Sequence, residues 1–315
     1  MDLRQLRYFL AVVEHGSITR ASRHLAVAQP ALSLHVRAME EALGTRLLDR
    51  SHTGVTATEA GALLALRART LLEDLARAED EIRTLDADPS GTVRIGLPGT
   101  IGAIVALPLM KAARDRYPRI RLNIAEAMSG FVARWMTEGQ VDIAVLYQPP
   151  AGRALASEPL LEEDLVILRR AGEGRAATSG DLATLHGAPM VLPSGAHGLR
   201  AHVDAALAER GIVPVVAVEI DSYLNIKRLV AEGFGASILP AHAVRDEVAA
   251  GTLVARPIAA PDFRRIAHLV HPAAGTAPRA RRAIQDLLRE TVAGLVDSGE
   301  WAGARRSEET LEYPL

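Results

Sequence analysis

Apolar residues at Leu3, Leu6, Phe9, Leu10 and Val13 recur at helical spacing, with Asp2 placed to cap the start and Gly16 to stop it. Ile18, Ala21, Ser22 and Leu25 predict a second, shorter amphipathic helix, and residues 26–28 a tight connection. Leu32, Val36 and Met39 predict a third helix, opening with Pro30 in its first turn, where the missing N–H costs nothing, and ending at Gly44. Beyond Leu47, the turn cluster Ser51-His52-Thr53-Gly54 followed by Val55 and Thr56 fits a small β-wing, as it would fit a bare loop. Thr56-Ala57-Thr58-Glu59 has capping-box spacing and predicts a long helix running to about Asp86. Within it Leu64, Leu71, Ala78 and Leu85 recur every seven residues, and Ala68, Leu75 and Ile82 follow the first three by four. So narrow a seam favours a partner helix, the alternative being an amphipathic helix lying on its own domain.

After the linker Asp86-Ala87-Asp88-Pro89-Ser90-Gly91 the period changes. Short apolar runs at 92–97, 120–126, 141–146, 166–169, 190–192, 215–220, 236–239, 253–257 and 266–271 predict strands. Helical patterns fall between them, near 103–117, 130–138, 199–210, 223–232, 241–249 and 278–295. This alternation predicts an α/β fold with largely parallel sheets. The expected organisation is a helical head over 1–58, a linking helix over 59–88, an α/β domain over 89–296, and a polar tail over 297–315 that frays.

Composition narrows the chemistry. The chain has 315 residues, 49% hydrophobic and 23% charged, enough for more than one core. It has no cysteine, which excludes disulfides, thiol catalysis and Cys-ligated metals. No basic-then-apolar leader opens it and no stretch approaches the ~20 apolar residues of a membrane span, so the cytoplasm is the expected location. Net charge is −2, from 36 basic and 38 acidic residues, and residues 1–58 carry seven arginines against five acids. Charge alone therefore does not announce nucleic acid.

Pattern does. A helix-turn-helix needs two short helices around a tight turn, the second exposing polar residues to the major groove. With Val36 and Met39 turned inward, Gln29, Ser33 and Arg37 share another face. Gln can read adenine edges and Ser either pair type, while Pro30 and Ala31 suit a thymine methyl. Thr19, Arg20, Arg23, Arg50 and Thr53 lie where phosphate contacts, which fix register rather than sequence, would be expected. The competing reading is a helical bundle with scattered surface polarity.

The head resembles the LysR family of bacterial transcriptional regulators. The resemblance is carried by Leu6-x-x-Phe9, Gly16-Ser17-Ile18-Thr19-x-Ala21, Leu25, Gln29-Pro30-Ala31-Leu32-Ser33, Glu40-x-x-Leu43-Gly44, Leu47-Leu48-x-Arg50 and Thr56-x-x-Glu59-Ala60-Gly61, in one order and spacing. It implies a winged helix-turn-helix, a dimerising linker helix, commonly a tetramer, and a dyad-symmetric DNA site with a T–A core. Position 34 departs from the pattern: Leu stands where the family more often has a polar residue, leaving a base contact there apolar or absent. Position 48 is Leu where Phe is frequent, a packing change only.

The resemblance further implies that the remainder adopts the two-subdomain fold of periplasmic solute-binding proteins, one subdomain over 92–161 plus 266–295, the other over 162–265. A small-molecule effector, anionic in one reading, would sit in the cleft between them. In α/β sheets ligands bind beyond the strands' carboxyl ends, against helix N-termini. Thr100, Ser129, Pro193 and Ser194 occupy three such ends, with Tyr147 and His197 as candidates for the wall. Thr100 and Ser129 match the family's effector-contacting strand ends; plain helix capping is the alternative for each Ser and Thr. Four stretches add a likeness to the nitrogen-assimilation-control branch: Gly96-Leu97-Pro98-Gly99, Glu126-Ala127-Met128-Ser129-Gly130, Tyr147-Gln148-Pro149-Pro150 and Glu158-Pro159-Leu160-Leu161-x-Glu163-Asp164-Leu165.

Other signals carry little. Gly96, Gly99 and Gly102 match neither a dinucleotide fingerprint nor a P-loop, His268 and His271 lack metal-site spacing on a strand, and no catalytic constellation surrounds Asp142 or Asp221. No cofactor, metal or enzymatic activity is expected. The competing readings are a cytoplasmic small-molecule-binding protein or enzyme that does not touch DNA, and an architectural DNA-binder with an empty cleft.

Overall fold

A computed structural model describes residues 1–51, 54–83, 88–150, 152, 154–172, 180–195, 197–258, 260, 263–273 and 277–307. Two compact units divide the chain, Met1–Ala87 and Asp88–Leu315.

The first unit begins with α1 (Leu3–His15), α2 (Ile18–His24) and α3 (Gln29–Leu43). Asp2 and Gln5 form a reciprocal capping box at the start of α1, and the Ser17 hydroxyl accepts from the Arg20 amide at the start of α2. The strands expected of a small wing are present: β1 (Leu48–Ser51) pairs antiparallel with β2 (Gly54–Ala57), while residues 52 and 53 lie outside the described residues. The long helix α4 (Glu59–Arg83) follows. Its cap differs from expectation. Thr56 lies within β2, and it is Thr58 whose hydroxyl accepts from the Gly61 amide (3.0 Å) and donates to the Arg46 carbonyl (2.8 Å). Gly61 is needed at this junction, because a Cβ there would sit 1.9 Å from the Leu47 carbonyl oxygen. Leu6, Phe9, Val12, Ile18, Leu32, Val36, Met39, Leu47 and Ala68 make one core, so the first turns of α4 belong to the head.

The second unit runs β3 (Gly91–Pro98), α5 (Gly99–Arg116), β4 (Ile120–Ala127), α6 (Ser129–Thr137), β5 (Ile143–Leu146), β6 (Leu155–Arg170), β7 (Pro189–Leu192), α7 (Gly198–Ala208), β8 (Val215–Glu219), α8 (Tyr223–Ala231), β9 (Ser237–Pro240), α9 (Arg245–Ala249), β10 (Leu253–Pro257), β11 (Arg264–Pro272), α10 (Arg279–Asp297) and β12 (Ala304–Arg306). The expectation of largely parallel sheets holds for β4-β3-β5 and for β7-β8 only. β6 and β11 pair antiparallel with each other, and β9, β10 and β12 add to β6 antiparallel. The sheet order β10-β6-β11-β5-β3-β4 makes these two strands the bridge between two cores. Leu97, Ile101, Leu109, Ile143, Leu161, Leu269, Ile284 and Leu288 fill one core; Leu165, Met190, Leu192, Val203, Ile226, Ile238 and Phe263 fill the other. β6 therefore crosses between Leu161 and Leu165.

Two sequence expectations are corrected here. β6 begins at Leu155, well before the run at 166–169. The stretch before that run carries Glu158, Glu162, Glu163 and Asp164, a polarity that masks a strand when read locally. The acids find cations from other elements: Arg289 of α10 pairs with Glu158 (2.6 Å), and Arg305 of β12 with Glu162 (2.9 Å) and Asp164 (3.1 Å). The tail expected to fray from 297 is instead ordered through Ser307, because Trp301 is buried in the first core and β12 pairs with β6. Residues 308–315 lie outside the described residues. Among the described residues no helix is long and apolar enough to cross a membrane.

Candidate functional site

In the first unit, α3 buries Leu32, Val36 and Met39 and leaves Gln29, Pro30, Ala31, Leu34 and Arg37 exposed, with Ser33 half-buried beside them. The 100° step of the helix puts Pro30, Ser33, Leu34 and Arg37 on one stripe. No side chain caps its first turn, where Pro30 sits. Thr19 and Arg20, at the start of α2, are exposed, as is Arg23. Among the described residues no carboxylate lies within ion-pairing distance of Arg20, Arg23 or Arg37, whereas Arg46 pairs with Asp49 (3.5 Å) and Arg69 with Glu14 (3.5 Å). The α3 stripe thus carries one open cation, Arg37, and α2 carries Arg20 and Arg23. Thr53 lies outside the described residues, and of Arg50 only the backbone, in β1, is described.

In the second unit the expected cleft residues converge at helix starts. Thr100 opens α5 and is buried; Ser129 opens α6, and a Cβ on Gly198, the first residue of α7, would lie 3.5 Å from it. Tyr147 follows β5, with its hydroxyl buried. His197 caps α7: its Nδ1 accepts from the Leu199 amide (3.1 Å), so its Nε2 carries the proton and donates to the Tyr223 hydroxyl (3.1 Å). Burial, with the Arg265 cation adding, lowers the His197 pKa and keeps the ring neutral. Pro193 is buried and its carbonyl accepts from Arg200 (3.0 Å). The Ser194 amide is already engaged, donating to the Asp221 carboxylate (2.8 Å), so it is not open to an anion. Asp142 is similarly engaged, accepting from the Arg94 amide (2.8 Å) and guanidinium (3.3 Å).

Beneath these residues lies a charged group that local reading of the sequence missed. Arg265 and Glu163 face each other across β11 and β6, both buried, joined by an ion pair. The Arg265 guanidinium stacks 3.8 Å from the centroid of the Tyr147 ring. The second Glu163 oxygen lies 3.6 Å from His242 Nδ1, while His242 Nε2 donates to the Thr100 carbonyl (3.1 Å). Thr100 also neighbours both phenols. Burial, with Glu163 adding, raises the Tyr147 pKa well above its usual value, and burial pushes Tyr223 up to about 12, so both phenols remain donors. Arg264-Arg265 and Glu162-Glu163-Asp164 read as solvated charge runs. The detectable signal was their complementarity: in register, Arg265 meets Glu163 and Arg264 meets Asp164.

The head and the two-core unit each match a family model. Residues 3–62 match "Bacterial regulatory helix-turn-helix protein, lysR family", and residues 86–293 match "LysR substrate binding domain". The chain belongs to the LysR family. This LysR-type transcriptional regulator joins a DNA-binding helix-turn-helix to an effector-binding domain, in a family of regulators rather than enzymes. It is 32% identical over 294 residues to the nitrogen assimilation regulatory protein nac of Klebsiella aerogenes, covering 93% of this chain and 95% of the relative. The nac protein of Escherichia coli (strain K12) is 30% identical, over 96% of this chain and 99% of its own length. Among solved structures, the LysR regulator HinK from Pseudomonas aeruginosa superposes with TM-score 0.59 at 28% identity, covering 93% and 99% of the two chains. A full-length OxyR variant from Pseudomonas aeruginosa shares the fold, with TM-score 0.72 at 24% identity over 100% and 99%.

Proposed function

We propose that this LysR regulator acts in the cytoplasm as a homodimer or tetramer that binds a dyad-symmetric promoter site, α3 entering the major groove of each half-site. Gln29 and Ser33 read base edges, Pro30 and Ala31 pack against the groove wall, and Thr19, Arg20, Arg37, Arg50 and Thr53 hold phosphates. The observation that carries this reading is the solvent-facing side of α3, where exposed Gln29 and Arg37 flank half-buried Ser33 and Arg37 has no carboxylate partner among the described residues, over a helix anchored by Leu32, Val36 and Met39. A two-fold pairing along α4 would present two heads to two half-sites.

The effector reading rests on the second unit. Thr100, Ser129, Tyr147, Pro193, Ser194 and His197 bind a small anion between the two cores. Helix starts and phenol donors crowd together there, with Arg265 as the buried cation. The Asp221 carboxylate on the Ser194 amide makes Ser194 act through its hydroxyl. Effector that favours one arrangement of the two cores shifts the population between states, and the oligomer relays the shift to the DNA-binding heads.

The test is a footprint of the purified protein on duplexes recovered by selection from random DNA, beside the Gln29→Ala/Ser33→Ala double variant. A protected dyad that the variant loses is the expected result. Diffuse, salt-sensitive protection that both proteins share would reduce the activity to nonspecific phosphate binding and sink the reading.

A further inference from the structure

Leu34 is 66% exposed in the middle of the reading stripe, one turn beyond Pro30 and one turn before Arg37. Among the described residues the other large exposed apolar side chains of this unit lie elsewhere. Met1 and Leu3 are at the N-terminus; Leu63, Leu71 and Ile82 are on α4; and Leu43, nine residues on from Leu34, projects from the opposite side of α3. A single exposed leucine is ordinary on a protein surface. On a surface that closes against base edges it is not, because it supplies neither donor nor acceptor.

The major groove offers N7 and O6 acceptors on guanine, N7 and an amino donor on adenine, an amino donor on cytosine, and on thymine one acceptor and the C5-methyl group. A leucine pressed on any of the polar edges strips water from them and returns no hydrogen bond. The thymine methyl is the one group it can cover with gain. We infer that Leu34 is a specificity-determining residue that reads the C5-methyl of one thymine in each half-site, next to the base edge that Ser33 contacts. The inference rests on the proposed groove-reading role of α3. It replaces a polar contact by an apolar one at this position and so predicts a thymine where a hydrogen-bonding side chain would select another base.

The experiment uses the full-length protein and the selected duplex. Each thymine is replaced in turn by uracil, symmetrically in both half-sites, and affinities of the wild type and Leu34→Ala are measured by fluorescence anisotropy. At one thymine per half-site the wild type should lose about fourfold per half-site, roughly fifteenfold for the dyad, the worth of one buried methyl-sized group at each. Leu34→Ala should bind the thymine and uracil forms of that position equally. With cytosine at that position, 5-methylcytosine should restore part of the wild-type affinity and none of the variant's. A wild type indifferent to every uracil would overturn the inference, as would a Leu34→Ala that keeps the full uracil penalty, which would assign the methyl to Pro30 or Ala31. Either result leaves the protected dyad intact, whereas failure of the groove-reading role abolishes the dyad itself.

Discussion

At the scale of single residues, the most consequential group is the buried pair Arg265–Glu163. Taking two charges out of water is repaid only while each keeps the other, so removing one partner costs far more than replacing both. Glu163→Gln should destabilise the chain by about 3–5 kcal/mol in chemical denaturation, and the double substitution Glu163→Leu/Arg265→Met should recover much of that loss. An additive double would show that the two side chains are not coupled in this way. The same pair sits under Tyr147 and next to His242, which holds the Thr100 carbonyl, so the residues beneath the cleft are tied to the strand pair that joins the two cores. The residues named from the sequence were Thr100, Ser129, Tyr147, Pro193, Ser194 and His197, at or just after strand ends, where small polar groups and rings are expected. Arg265, Glu163, Tyr223 and His242 were not legible, because burial of a charge or a phenol is decided by its partner across a sheet and not by its neighbours in the chain.

At the scale of elements, α4 divides into two parts with different partners. Leu64, Ala65, Ala68 and Leu72 pack on the head, while Leu71, Ala78 and Ile82 are exposed, Ile82 at 70%. Leu85, the last seam position, lies outside the described residues. The heptad pattern thus runs on after the head has ended, which is what a helix paired with a second copy requires. Leu71→Asp/Ile82→Asp should shift the protein toward monomer in sedimentation-velocity experiments and weaken DNA binding with it, without unfolding the head. An unchanged oligomer would assign self-association to another surface. The hairpin β1–β2 was an even choice from sequence and became a wing through tertiary anchors: the Glu40 carboxylate accepts from the Leu47 (2.8 Å) and Leu48 (3.2 Å) amides, and the Val55 amide donates to the Gly16 carbonyl (3.0 Å). Similarly, Gly235 takes φ +145° where a Cβ would lie 2.3 Å from the Pro189 carbonyl oxygen, letting the chain run beside β7 and into β9.

At the scale of the whole molecule, two buried imidazoles, His197 and His242, and the half-buried His202 link stability to pH. Burial lowers the pKa of His197, His202 and His242, with Arg265 adding in each case; at His242 the neighbouring Glu163 opposes the shift without reversing it. The unfolded chain takes up protons near the ordinary histidine value of about 6.5, before the folded state does. The stabilisation is therefore complete above that value and is lost as pH falls through the lowered folded values. The melting temperature of the full chain should drop between pH 7.5 and 5.5, and His242→Gln should flatten part of that slope. A melting temperature level or rising toward acid would contradict the assignment.

The sequence by itself determined what depends on local period and local caps: the three helices of the head, the seam on α4, the α/β alternation, and a family pattern dense enough to name. These follow from side-chain spacing, which repeats within a turn or a pleat. Tertiary structure alone decided which strands became the bridge between the cores. It also set the antiparallel pairing of β6 and β11, the burial of Trp301 in a tail that reads as polar, and the charged group beneath the cleft. Each of those depends on a partner far away in the chain, as Arg265 is from Glu163, and no local pattern encodes the pairing.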